Sequence, residues 1–118
     1  MIDKEQAQTY VQDWIKSWNA HDLDAILSHY TDELEFHSPF IQLLNFNNSG
    51  IITSKQELEK YFKIGLSAYP DLHFKLHHYF VGLHTIVIYY TSVNERLVAE
   101  VFELDKAGKA VKVFCNYL

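Results

Sequence analysis

The sequence predicts an α+β fold in which helices of the N-terminal half pack on one face of a curved, mostly antiparallel sheet. Three observations carry this. Apolar residues recur at helical spacing early in the chain, at Ala7, Val11, Trp14 and Trp18. The second half holds four runs rich in β-branched and aromatic residues, LHFKLHHYFV, HTIVIYYTSV, ERLVAEVFEL and KAVKVFCNYL. The links between these runs (Gly82-Leu83, Asn94-Glu95, and Asp105 to Gly108) are too short for parallel crossovers and favour a meander. Helices followed by hairpins is the pattern of an α+β domain.

The first helix starts near Asp3, whose carboxylate can accept an orphan backbone N–H. Tyr10 and Ile15 widen its apolar stripe, while Lys4, Gln8, Gln12, Asp13 and Lys16 fall mainly elsewhere around it. Residues 19–22 break it, and Asp22 caps a shorter helix through Ile26, Leu27 and Tyr30. LEFHSP then reads as a strand stopped by Pro39. Residues 40–53 have no clean periodicity and carry the turn signal NNSG, which reads as a strand-like segment or flap. Ser54 with Glu57 forms an S-x-x-E capping box. The helix it opens runs through Leu58, Tyr61, Phe62 and Leu66 and ends at Pro70.

With 118 residues the chain is one domain, residues 1–118, long enough for a single core. Hydrophobic residues make up 48% and charged residues 21%, the balance of a soluble globular protein. Aromatics reach 15%, so many large rings must fill a core or line a cavity. The net charge of −5 and the lack of any basic cluster exclude nucleic acid as an expected partner. No run approaches the roughly 20 apolar residues of a membrane-spanning helix. The polar start MIDKEQAQ lacks a signal-peptide core. The expectation is a cytoplasmic protein with no membrane partner. The single cysteine, Cys115, excludes an internal disulfide and reads as a small buried apolar residue.

Strand alternation assigns faces. In LEFHSP, Ser38 follows Leu34 and Phe36 inward and His37 points away, so the two do not meet as nucleophile and base. In AEVFEL, Glu100 shares a face with Val98, Phe102 and Leu104, which places a carboxylate within an apolar stripe. His78 falls in phase with Phe74, Leu76 and Phe80, and is a candidate acid or base near Glu100. The seven histidines do not make a metal site. His73 and His77 share a face but lie about 13 Å apart at strand rise, and His77 and His78 point opposite ways. No metal and no cofactor are expected.

The stretches WNAHDLDAILSHYTDELEFHSP, AYPDLHFKLHHYFVG and AEVFELDKAGKAVKVFCNY, in that order, resemble the NTF2-like superfamily, and most closely its SnoaL-like and ketosteroid-isomerase-like branch. The resemblance covers nearly the whole chain apart from residues 41–53. It implies a cone, with three helices of the N-terminal half packed on a strongly curved sheet and a pocket at the wide end. It also implies a homodimer through the outer sheet face, where Leu97, Ala99 and Val101 lie beside Glu103. It puts Ser38 where the isomerases carry their aspartate base, so that base is missing. It puts Glu100 where they carry a protonated acid, and Trp14 where they place a tyrosine oxyanion donor. The superfamily spans enzymes and binding proteins, so fold alone does not give function.

Burial would raise the pKa of Glu100 and let a neutral acid donate or shuttle a proton. The plain alternative is a structural carboxylate bonded to a core Tyr, Trp or His. Trp14, Trp18, Tyr30, Phe36, Ser38 and Phe40 join Tyr61, Phe62, Tyr90, Phe102 and Tyr117 as candidate substrate-binding residues. They suit a small apolar or aromatic ligand. Two readings follow from different classes. One is a cofactor-independent isomerase or cyclase that moves a proton next to a carbonyl, with Glu100 and His78 as catalytic groups. The other is a non-catalytic ligand-binding or protein-interaction dimer.

Overall fold

The computed structural model describes residues 1–118. The first helix, α1 (Lys4–Asn19), is capped as its sequence predicts: Asp3 Oδ1 accepts the Gln6 N–H at 2.8 Å. Its stripe of Ala7, Val11, Trp14 and Trp18 is buried. Helix α2 (Leu23–Leu27) begins at Asp22, whose carboxylate accepts the Ala25 N–H at 3.1 Å. Strand β1 (Tyr30–His37) follows.

The segment expected as a strand-like flap is built differently. Residues Pro39–Leu43 form a short helix, α3, and only Ile51–Ser54 form a strand, β2. The cause lies in the Ser38-Pro39 pair. Ser38 Oγ accepts the Phe40 N–H at 3.2 Å as the helix cap. Pro39 takes the first helical position, where a missing N–H costs nothing. Beyond α3, the Asn47 side chain gathers the Ser49 and Gly50 N–H groups at 3.1 and 2.9 Å. Gly50 adopts φ +74° to turn the chain into β2. Helix α4 (Lys55–Ala68) then starts on Ser54, which accepts the Glu57 N–H at 3.2 Å. The three expected helices are thus joined by a fourth of five residues.

The remaining strands are β3 (Lys75–Val81), β4 (Thr85–Thr91), β5 (Leu97–Leu104) and β6 (Ala110–Tyr117). They form the predicted antiparallel meander within a six-stranded curved open sheet of order β2-β1-β6-β5-β4-β3. Only β1 and β6 run parallel. The helices cover one face, onto which β5 buries Val98, Glu100, Phe102 and Leu104.

Two local features position the pocket wall. Asn19 holds Phe74 by both backbone groups, donating to its carbonyl at 3.0 Å and accepting its N–H at 2.6 Å. In β3 the register slips between Leu76, opposite Tyr90, and His78, opposite Tyr89. This bulge at His77 reverses the alternation for the rest of the strand. No helix is long and apolar enough to cross a membrane.

Candidate functional site

A cavity of about 150 Å³ opens between the helices and the inner sheet face. Trp14 and Trp18 of α1, with Tyr61 and Phe62 of α4, form its helical wall. Phe36 of β1 and Phe40 of α3 close one side, and Tyr90, Glu100 and Tyr117 project from β4, β5 and β6. Nine of the expected site residues are therefore brought together around one space.

Glu100 is the chemical centre. It is buried, and Tyr90 donates its hydroxyl to Glu100 Oε1 at 2.8 Å. Burial raises its pKa to about 7, against the lowering pull of hydrogen bonds from Tyr90 and Cys115. Cys115 stands directly opposite Glu100 on β6 and lines the cavity. Burial and the Glu100 charge push its thiol well above the usual range, so it is no nucleophile at neutral pH. Burial likewise keeps the Tyr61, Tyr90 and Tyr117 phenols protonated. Among the lining groups, Glu100 is the one whose proton exchanges near neutrality.

Four expectations are corrected. His78 does not reach the cavity. The bulge at His77 sets it opposite Tyr89 on the outer face, where it is exposed and stacks on that ring at 6.4 Å. Phe102 lies beyond the cavity because it packs edge-on to Tyr10 at 5.7 Å and Trp14 at 5.3 Å. Tyr30 is wholly buried and accepts the Trp14 indole N–H at 2.9 Å. That bond also commits the donor that the resemblance assigned to an oxyanion. Ser38 is buried beside the lining rather than in it: its Oγ caps α3, and it neighbours Tyr61, Tyr117 and Cys115.

The clustered histidines do not converge. His77 Nε2 bonds Thr91 Oγ1 at 2.6 Å, and His37 faces outward, stacked on Phe114 at 4.7 Å with Glu35 at 3.1 Å.

Sequence reasoning missed several lining residues. Leu72 and Phe74 come from the segment pinned to α1, and Tyr69 from the end of α4. Phase alone placed Phe74 inward. No periodic signal marks Ser92, Asn94 and Arg96, which reach the mouth from the β4–β5 turn. Trp18 Nε1 is the one buried side-chain nitrogen or oxygen without a hydrogen-bond partner.

Comparison with known proteins agrees with this architecture. A SnoaL-like protein of unknown function from Burkholderia thailandensis is 38% identical, with a TM-score of 0.95 over 99% of this chain and 98% of that one. SalBIII, an epoxide hydrolase/cyclase-like enzyme of pyran ring formation in salinomycin, shares the fold at 16% identity. Its TM-score is 0.77 over 100% of this chain and 95% of that one. An NTF2-like protein of unknown function from Cytophaga hutchinsonii does so at 13% identity, with a TM-score of 0.70 over 95% and 89% of the two chains. No curated protein matches the chain. The family model described as a SnoaL-like domain matches residues 11–113, and the chain belongs to that family.

Proposed function

We propose that the protein is a cofactor-independent enzyme that moves a proton next to the carbonyl of a small, largely apolar molecule, with Glu100 as its acid–base group. The observation that carries this is the buried Glu100 carboxyl on the cavity wall with its pKa near 7. Near neutral pH both of its protonation states are populated. The carboxylate takes a proton from the carbon beside the carbonyl, and the resulting acid returns a proton to that carbon or, where a β,γ double bond makes the intermediate a dienolate, to its γ-carbon. No net proton is gained or lost. The protonated Tyr61 and Tyr117 phenols are the available donors for the enolate oxygen. Ser38 supplies no base and His78 faces outward, so one carboxyl performs both transfers.

The test is exchange of α-protons for deuterium in a panel of small ketones, followed by proton NMR. Wild-type protein should catalyse exchange, and Glu100→Gln should bind the same ketone and catalyse none. A ketone that binds without exchange in the wild type would overturn the enzyme reading. A non-catalytic ligand-binding protein is the second reading, favoured by the absence of a second acid–base group in the cavity.

We propose also that two copies associate through the outer sheet face. Phe80 is 58% and Phe114 38% exposed there, beside half-buried Leu97, Ala99 and Val101.

A further inference from the structure

The cavity is lined almost entirely by apolar and aromatic side chains, and only two of its lining residues belong to the charged types, Glu100 and Arg96. They differ in depth. Glu100 is buried, whereas Arg96 is exposed at the mouth. Its guanidinium lies over the Phe40 ring at 4.9 Å from the centroid and forms no ion pair with any carboxylate of the chain, neighbouring Glu95 included. An exposed arginine is ordinarily a solvated charge. This one is held on an aromatic edge of the pocket, with its hydrogen-bonding fork uncommitted.

The turn that presents it is strained. Asn94 and Glu95 both adopt left-handed backbone, at φ 57° and 56°. Asparagine tolerates that region and glutamate does so at a cost. The turn is closed by Ser92 N–H to the Arg96 carbonyl at 2.7 Å and Arg96 N–H to the Val93 carbonyl at 3.2 Å. Its effect is to bring Ser92, Asn94 and Arg96 together at the mouth. Two polar side chains and one guanidinium form a small donor-rich edge above an apolar chamber.

Volume limits what enters. A cavity of about 150 Å³ accommodates a benzene-sized ring, whereas drug-sized ligands take roughly 300–1,000 Å³. One guanidinium matches one planar monoanion, and its fork fits a carboxylate in bidentate fashion.

We propose that the pocket takes a carboxylic acid no larger than a single ring, its carboxylate on Arg96 at the mouth and its apolar body among Trp18, Phe62 and Phe74. This rests on the proton-transfer reading only for the fate of the ligand, since the acid-binding mouth is defined by Arg96 and the turn.

The test is calorimetric titration at pH 7 with benzoate, phenylacetate and 4-oxocyclohexanecarboxylate, each matched with its own carboxamide and with 2-naphthylacetate as the larger acid. At least one single-ring acid should bind about ten-fold or more tightly than its amide, the usual worth of a charge-assisted pair. Arg96→Gln should erase that difference and Arg96→Lys should restore part of it. Arg96 is exposed, so neither change threatens folding. Equal affinity for acids and amides, a preference that survives Arg96→Gln, no binding by any acid, or equal binding of the two-ring acid would each overturn the proposal. Deuterium exchange on 4-oxocyclohexanecarboxylate separates the two ideas. An Arg96-dependent acid preference without exchange would sink the enzyme reading alone. Exchange on neutral ketones without an acid preference would sink this one alone.

Discussion

Tyr90 and Glu100 lie on neighbouring strands, and the phenol of the first donates to the carboxylate of the second at 2.8 Å within the cavity wall. The bond favours the charged form of an acid that its surroundings otherwise hold neutral. Removing the donor therefore has a definite sign. Tyr90→Phe should raise the Glu100 pKa above 7 and move the rising limb of any activity profile to higher pH. Carbon-13 NMR of the labelled Glu100 carboxyl reads this shift directly, and an unchanged or lowered pKa would contradict it.

Glu100 should also make stability depend on pH. Its folded pKa of about 7 lies above the ordinary 4.5, so the native state holds its proton more tightly than the unfolded chain does. The benefit is fully present below pH 4.5 and is lost as pH rises to about 7, a fall of about 3 kcal/mol. His29 works in the opposite direction, because burial lowers its pKa below 6.5. The difference between wild type and Glu100→Gln isolates the carboxyl. In urea titrations at pH 4.5 and 8, Glu100→Gln should lack this fall and gain relative to wild type at the higher pH.

Trp14 fills the space between Tyr90 and Phe102, at 5.2 and 5.3 Å, and bonds Tyr30. Trp14→Phe removes both the bicyclic ring and the donor. Its cost should be about 2–3 kcal/mol in urea unfolding. It should also enlarge the cavity enough for a two-ring ligand to gain affinity relative to a one-ring one.

The proposed association of copies predicts a mass of twice the 13.9 kDa chain in native mass spectra. Phe114→Glu on the outer face should return the mass to that of a single chain while leaving the fold intact by circular dichroism. A single-chain mass for the wild type would dispose of the interface.

Much of the fold was legible because its determinants are local. Asp3, Asp22 and Ser54 each accept the backbone N–H that their position predicts. Alternation along β5 placed Glu100 inward and placed Leu97, Ala99 and Val101 outward. Alternation failed where it is blind. A bulge adds one residue without changing composition, so nothing in LHHYF announced that His78 would turn outward. The short helix after Ser38 did leave a signal, since a serine cap followed by proline is a helix start, but the same proline also reads as a strand stop. Tyr30 and Phe102 were lost for a third reason: phase tells which face a ring occupies, not how far along the cone it stands. Arg96 depends on a turn whose left-handed residues include a glutamate, which sequence preference does not anticipate.

The double bond of Asn19 to the Phe74 backbone has a bearing on how this pocket can change its ligand. A second clasp, from His21 Nε2 to the Leu72 carbonyl at 2.8 Å, secures the same segment. The buried wall that contains Leu72 and Phe74 is thereby fixed in gauge to α1, whatever side chains it carries. The entrance is made instead of α3 and the turn at Ser92 to Arg96, which meet neither clasp. Substitutions at the entrance can exchange one ligand's polar group for another's while the inner chamber keeps its bore. Divergence among relatives, or a laboratory search for new ligands, should therefore accumulate at Phe40, Leu44, Asn94 and Arg96 before it touches the clasped wall.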